Sequence, residues 1–160
     1  ISNPRYPLAE SVQKNLLKLY MNDVGLLTAQ LYGKNLHPVL DDESSVNLGA
    51  VYESFVAQEL RAHGNKLFYY DNRSKGEVDF LTDDMNSSSV MPIEVKSGKD
   101  YTKHSALDNL LSVPAYGIKT AVVLSNEREV RLSGGIIYMP IYYCMFIGDD
   151  PMGQEGDYIF

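Results

Sequence analysis

The sequence contains no tryptophan and a single cysteine, Cys144. One thiol excludes an internal disulfide and points to a reducing compartment, so a cytoplasmic setting is expected. No apolar stretch approaches the roughly 20 residues that cross a bilayer, and no basic-then-apolar signal opens the chain, so no membrane partner is expected. Basic residues are scarce too: 14 Lys and Arg against 21 Asp and Glu leave a formal charge of −7. Bulk charge therefore does not hold this chain to nucleic acid, and a polyanion partner has to meet a local patch or a metal ion. Nor is there a Gly-x-x-x-x-Gly-Lys-Ser/Thr run, which excludes a phosphate-binding loop and with it a nucleotide site in this sequence.

What is present is an ordinary globular composition, 44% hydrophobic and 22% charged over 160 residues, enough for one domain with its own core. The first residue is Ile1 rather than methionine, so the sequence reads as a piece of a longer polypeptide. Three parts are expected: a lead-in of a strand and a short helix over 1–46, a core over 47–147, and an acidic tail over 148–160 that carries Asp149, Asp150, Glu155 and Asp157. A second acidic cluster, Asp41-Asp42-Glu43, precedes the first long helix.

In the lead-in, Leu16–Tyr20 reads as a short strand. Asp23 then stands as an N-cap, Leu26, Leu27 and Leu31 give a short helical face, and Gly33 a stop. Apolar residues at helical spacing from Leu48 to Leu60 predict a helix over Asn47–His63, ended by Gly64. Strands follow at Lys66–Tyr70, Glu77–Thr82 and Met91–Ser97, the last two joined by the polar loop Asp83–Ser89. A second helix is predicted from Thr102, with Leu107, Leu110 and Leu111 inward. Beyond it come a buried strand at Thr120–Leu124 and a hairpin of Glu129–Leu132 with Ile136–Met139. Ile141–Ile147 fits either a closing helix or a strand. The order helix, three strands, helix, strand implies a mixed α/β (α+β) layer arrangement.

The chemistry-bearing stretch is Gly76-Glu-Val-Asp79-Phe, followed by Pro92-Ile-Glu94-Val-Lys96-Ser-Gly98. Side chains alternate across a strand, so Glu94 and Lys96 share one face and Ile93 and Val95 the other, while Asp79 faces away from Val78 and Phe80. If the strands are neighbours, Asp79, Glu94 and Lys96 meet over an apolar floor. Paired carboxylates repel and raise each other's pKa unless a cation lies between them, and Mg²⁺ suits oxygen ligands of this kind. An adjacent ammonium orients a water or stabilises developing negative charge, a site for metal-assisted phosphodiester hydrolysis. The same spacing also describes a solvated strand face with a weak ion pair.

The Asp79 … Glu94-Val-Lys96 arrangement resembles the PD-(D/E)XK nuclease superfamily, with Val78 where that signature has proline. Gly49-Ala-Val-Tyr-Glu53 … Leu60 … Gly64 is similar to the first helix of archaeal Holliday-junction resolvases. The resemblance implies a restriction-endonuclease-like core, a mixed sheet of helix, three strands, helix and strand flanked by helices. It also implies a catalytic set of Glu53, Asp79, Glu94 and Lys96, with Glu53, Asp79 and Glu94 holding Mg²⁺ or Mn²⁺. A closer resemblance runs through Leu19-Tyr-Met-Asn-Asp-Val-Gly-Leu-Leu27, Glu53-Ser-Phe-Val-Ala-Gln-Glu-Leu60, Glu77-Val-Asp-Phe80 and Pro92–Gly98. These are similar to the domain-of-unknown-function 4143 family, the C-terminal part of bacterial and archaeal AAA-type ATPases. It implies an upstream ATPase region in the same polypeptide and leaves the biochemical role unassigned, whereas the nuclease resemblance implies DNA or RNA as partner.

Periodicity and resemblance point to different acids. At about 100° per residue, Glu59 lies near the middle of the apolar stripe of the 47–63 helix and Glu53 on its flank, so Glu59 stands as the alternative inward acid. His37, His63 and His104 lack zinc spacing and read as surface residues. Phe68, Tyr69 and Tyr70 read as core rather than base-stacking rings. Arg73, Lys75, Lys99, Lys103 and His104 are either a phosphate rim or ordinary loop cations, and Cys144 reads as a buried, inert thiol. Two functions follow from different classes: a metal-dependent nuclease-like domain, or a non-catalytic nucleic-acid- or protein-binding module with the nuclease fold, serving the attached ATPase.

Overall fold

A computed structural model describes residues 1–13, 17–33, 36–41 and 47–148. The expected acidic tail past Gly148, and Leu16, Asp42 and Glu43, lie outside the described residues. Helices α1 (Val24–Tyr32), α2 (His37–Leu40), α3 (Gly49–Ala62) and α4 (Ser105–Leu111) accompany six strands: β1 (Phe68–Asn72), β2 (Gly76–Asp84), β3 (Ser89–Lys96), β4 (Ala121–Ser125), β5 (Arg131–Ser133) and β6 (Ile136–Pro140). They form one mixed sheet in the order β1-β2-β3-β4-β6-β5. Strands β1–β2, β2–β3 and β5–β6 are antiparallel, and β4 runs parallel to both β3 and β6.

Each sheet face carries its own core. On one, Val56, Ala57 and Leu60 of α3 meet Phe80, Ile93, Val95, Val122, Leu124 and the closing Cys144 and Ile147. On the other, Leu107 and Leu110 of α4 meet Tyr70, Val78, Leu81, Val90, Ala121, Val123, Ile136 and Tyr138. Strand β4 lies between two parallel neighbours, and every one of its residues is buried, which is why it reads as a continuous apolar run rather than an alternation. The parallel β3–β4 step needs a crossover, and α4 lies within it. Among the described residues no helix is long and apolar enough to cross a membrane.

Several expectations are corrected. Residues 17–20 form no strand; Leu17 and Leu19 are 75% and 82% exposed and give a sheet nothing to bury. Helix α1 begins as expected, with the Asp23 carboxylate accepting the Leu26 N–H at 2.9 Å, but it buries no residue, and Leu26 and Leu31 face solvent. Of the two alternatives left open for Ile141–Ile147 the helical one holds: Ile141–Phe146 is a 3-10 helix in which only Cys144 is buried. His104 is buried rather than on the surface. Its Nε2 meets the Tyr138 hydroxyl at 2.7 Å, and its Nδ1 stands 3.0 Å from Asp108, off the line of a hydrogen bond. With its ring turned inward, His104 does not cap α4, which starts at Ser105 rather than Thr102.

Gly76 sets the start of β2. Its φ is +96°, and a Cβ there would stand 2.9 Å from the Ala106 Cβ, so only glycine lets β2 begin beneath α4.

Candidate functional site

The site begins with a break in strand pairing. Phe68 pairs with Leu81 and Tyr70 with Val78, so two residues of β1 span three of β2 and the extra residue bulges. The bulge puts Val78 into the α4-side core and Phe80 into the α3-side core. This corrects the strict alternation expected around Asp79, because an extra residue resets the face. The β2–β3 register runs from Asp84↔Ser89 to Phe80↔Ile93 and ends there. Beyond it the Val95 N–H donates to Asp79 Oδ2 at 2.7 Å, so a carboxylate stands where a strand carbonyl would be.

Around Asp79 the acids gather in two pairings. Lys18 Nζ lies 3.0 Å from Glu53, 2.6 Å from Glu77 and 3.7 Å from Asp79 Oδ1. Lys96 Nζ lies 2.7 Å from Glu94 Oε1. Glu94 is 6% exposed, and its other oxygen, Oε2, has no hydrogen-bond partner. Burial, then the neighbouring Glu94 charge, pushes Asp79 up to about 7, against the pull of the Val95 N–H and Lys18. Burial pushes the Lys18 ammonium down, but hydrogen bonds to Glu77 and Glu53 outweigh it and hold Lys18 above the ordinary lysine value. The Tyr20 hydroxyl donates to Glu53 at 3.5 Å, and its ring stacks at 5.5 Å on Phe80. A cleft of about 440 Å³ opens beside this group, with Lys18, Tyr20, Asn47, Gly49 and Glu53 in its wall.

Glu53, not Glu59, faces this cluster. The buried residues of α3 are Ser54, Val56, Ala57 and Leu60; at about 100° per residue their mean direction falls within about 20° of Glu53 and roughly 130° from Glu59. The apolar stripe misled because small Ser54 and Ala57 are among the residues α3 buries, while Tyr52 and Phe55 stay half-buried. Glu59 lies toward Cys144, whose thiol burial, with help from Glu59, pushes up to about 12. That thiol is buried and protonated at neutral pH, as an inert core cysteine is.

Lys18 is the member that sequence reasoning missed. It lies on a segment with no periodicity of its own, and the one available signal is charge: half-buried Glu53 and Asp79 need a cation nearby. Of the five residues that read as either a phosphate rim or ordinary loop cations, two are engaged elsewhere. His104 is buried, Lys103 pairs with Asp100 at 3.0 Å, and among the described residues no hydrogen bond or ion pair joins Arg73, Lys75 or Lys99 to the acidic cluster. Tyr70 is fully buried and Phe68 packs on the same core, while the Tyr69 ring turns the other way, 5.8 Å from Lys18 Nζ.

No curated protein and no solved structure matches this chain. A family match covers residues 48–144, described as Domain of unknown function (DUF4143). That span runs from the start of α3 to Cys144 and includes Glu53, Asp79, Glu94 and Lys96; Lys18 lies before it. Since it takes in more than half of the 160 residues, the chain belongs to the DUF4143 family.

Proposed function

We propose that this is a metal-dependent, nuclease-like domain with a restriction-endonuclease-like core, hydrolysing phosphodiesters of DNA or RNA. Asp79, Glu94 and Glu53 hold Mg²⁺ or Mn²⁺, and Lys96 serves the reacting atoms. The observation that carries this reading is Glu94: a buried carboxylate beside Asp79 with one oxygen on Lys96 and the other without a donor. An unsatisfied buried acceptor costs about 1–3 kcal/mol, more when charged, and a hard cation bound by carboxylate oxygens and waters relieves it. The donor set, oxygen only, fits Mg²⁺ or Mn²⁺ rather than a softer metal.

Bound there, such an ion supplies Lewis-acid polarisation of the phosphodiester and a more acidic water. Lys96, held by Glu94, keeps N–H donors for the attacking water or for negative charge on phosphoryl oxygens. Asp79, with its carboxyl near pH 7, becomes a ligand as it ionises across the neutral range. The order α3–β1–β2–β3–α4–β4 and the Asp79 … Glu94-Val-Lys96 spacing support the likeness to PD-(D/E)XK nucleases. On this reading the chain is the C-terminal part of a cytoplasmic AAA-type ATPase, with residues 1–46 leading in from the ATPase region.

The test is cleavage of plasmid, single-stranded and branched DNA and of RNA with Mg²⁺ or Mn²⁺. Wild type is expected to cut at least one of these, and Asp79→Ala and Lys96→Ala to lose the activity. Equal cutting by the variants, or none by wild type on any substrate, overturns the proposal.

A second reading is a non-catalytic binding module for nucleic acid or protein. Its support is that each acid already has a lysine, with Glu53, Glu77 and Asp79 on Lys18 and Glu94 on Lys96. Moreover, among the described residues no group of three or more His, Cys, Asp or Glu side chains is placed to hold a metal ion. This reading expects Mn²⁺ to bind no better than at any acidic surface, and a micromolar site lost in Glu94→Ala defeats it.

A further inference from the structure

We infer that the strap of residues 17–21 and helix α1 form a contact face for a second copy of this chain. The first observation is an alternation along the strap. Lys18 and Tyr20 turn inward, Lys18 onto Glu53 and Glu77 and Tyr20 onto Phe80, while Leu17, Leu19 and Met21 are exposed. The second observation is α1. Its sequence, Val-Gly-Leu-Leu-Thr-Ala-Gln-Leu-Tyr, is mostly apolar, yet it buries no residue and leaves Leu26 and Leu31 in solvent. Leu19 and Met21 share the wall of one cleft with Leu27 of α1, so strap and helix make one continuous surface. Scattered exposed leucines are ordinary, but a contiguous patch marks an interaction site.

Size and charge decide the occupant. With unfolded-chain areas as the fully exposed limit, Leu17, Leu19, Met21, Leu26 and Leu31 expose about 500 Å² between them. A standard interface takes about 800 Å² from each partner, roughly three-fifths of it apolar, so these five side chains supply the apolar share. Residues 17–33 carry two charged side chains, Lys18 and Asp23. Lys18 is turned into the acidic cluster, and Asp23 holds the Leu26 N–H. A chain of net charge −7 repels its own copy over most of its surface, and a nearly uncharged face is where two copies meet. A charged partner finds little countercharge here, and a lipid surface calls for Lys and Arg around the apolar patch, which this stretch lacks. In a two-fold pair each patch covers the other. The contact also clasps the strap from outside and so keeps Lys18 on Glu53 and Glu77.

Sedimentation equilibrium of the whole chain from about 1 to 100 μM tests this. The proteins are wild type, Leu26→Glu, Leu19→Glu and a control, Leu132→Glu, on exposed β5 at the far edge of the sheet from β1, where Lys18 meets Tyr69. Because α1 buries no residue, Leu26→Glu is expected to keep the fold, which far-UV circular dichroism verifies. Wild type is expected to dimerise within this range. Each substitution enters a two-fold contact twice, so Leu26→Glu and Leu19→Glu are each expected to weaken the dimer at least about a hundredfold. Leu132→Glu is expected to leave it unchanged. A dimer that either face variant leaves intact, or that Leu132→Glu breaks equally, overturns the proposal by placing the contact elsewhere. A wild type that stays monomeric throughout also overturns it, and flotation with phosphatidylcholine vesicles then assigns the face to a membrane instead.

Discussion

Replacing Asp79 by asparagine should make the protein more stable at pH 8 while changing little at pH 4. The substitution keeps an oxygen for the Val95 N–H, now 2.7 Å from Asp79 Oδ2, and removes only the charge. Burial and the Glu94 charge raise Asp79 to about 7, against about 3.9 in an unfolded chain. Because the folded form binds its proton more tightly, the stability this group contributes is complete below about pH 4. It is lost as pH rises through about 7. A shift of about three units at about 1.4 kcal/mol each gives about 4 kcal/mol, and losing the contact with Lys18 takes back part of it. The variant is therefore expected to gain about 2 to 4 kcal/mol at pH 8 and to stay within about 0.5 kcal/mol of wild type at pH 4. Urea unfolding followed by far-UV circular dichroism at half-unit steps from pH 4 to 8.5 measures the difference, in which the other titrating groups cancel. Parallel stability curves for the two proteins, or an asparagine variant weaker at pH 8, would refute the reasoning.

The remaining predictions concern the frame. Tyr138→Phe leaves the buried His104 Nε2, now 2.7 Å from the hydroxyl, without its partner and is expected to lower stability by about 1–3 kcal/mol. Adding His104→Ala to it should cost less than the two separate losses summed, as urea midpoints will tell. Gly76→Ala, at φ +96° with its new Cβ 2.9 Å from Ala106, is expected to cost about 1–3 kcal/mol by the same measurement. Asp23→Ala removes the cap on the Leu26 N–H, worth about 1 kcal/mol. Since α1 buries no residue, hydrogen exchange is expected to speed up within α1 while the global urea midpoint barely moves.

How far the sequence carries the structure depends on where each residue's partners lie. Helix α3 and strands β2, β3 and β4 are legible because periodicity or unbroken β-branched runs are local signals. Glu94 and Lys96 are legible as a same-face pair for the same reason. The bulge at Asp79 is not, since it is a mismatch between β1 and β2 and leaves no mark in either strand alone. The choice of Glu53 over Glu59 was hidden by size: Ser54 and Ala57 carry little hydrophobicity yet are buried. His104 passes for a surface histidine because the hydroxyl that lets it be buried belongs to Tyr138, three strands later. Lys18 needed three acids from α3 and β2 to be brought together before its role existed at all.

The central claim, that Glu94 and Asp79 are ligands waiting for a divalent cation, is tested most directly by anomalous diffraction from crystals soaked in Mn²⁺. The account predicts a single strong peak within about 2.0–2.6 Å of Glu94 Oε2 and of an Asp79 oxygen, the range for hard cations on carboxylates. Density showing Lys18 still seated between Glu53 and Glu77, with no peak at Glu94, would contradict it.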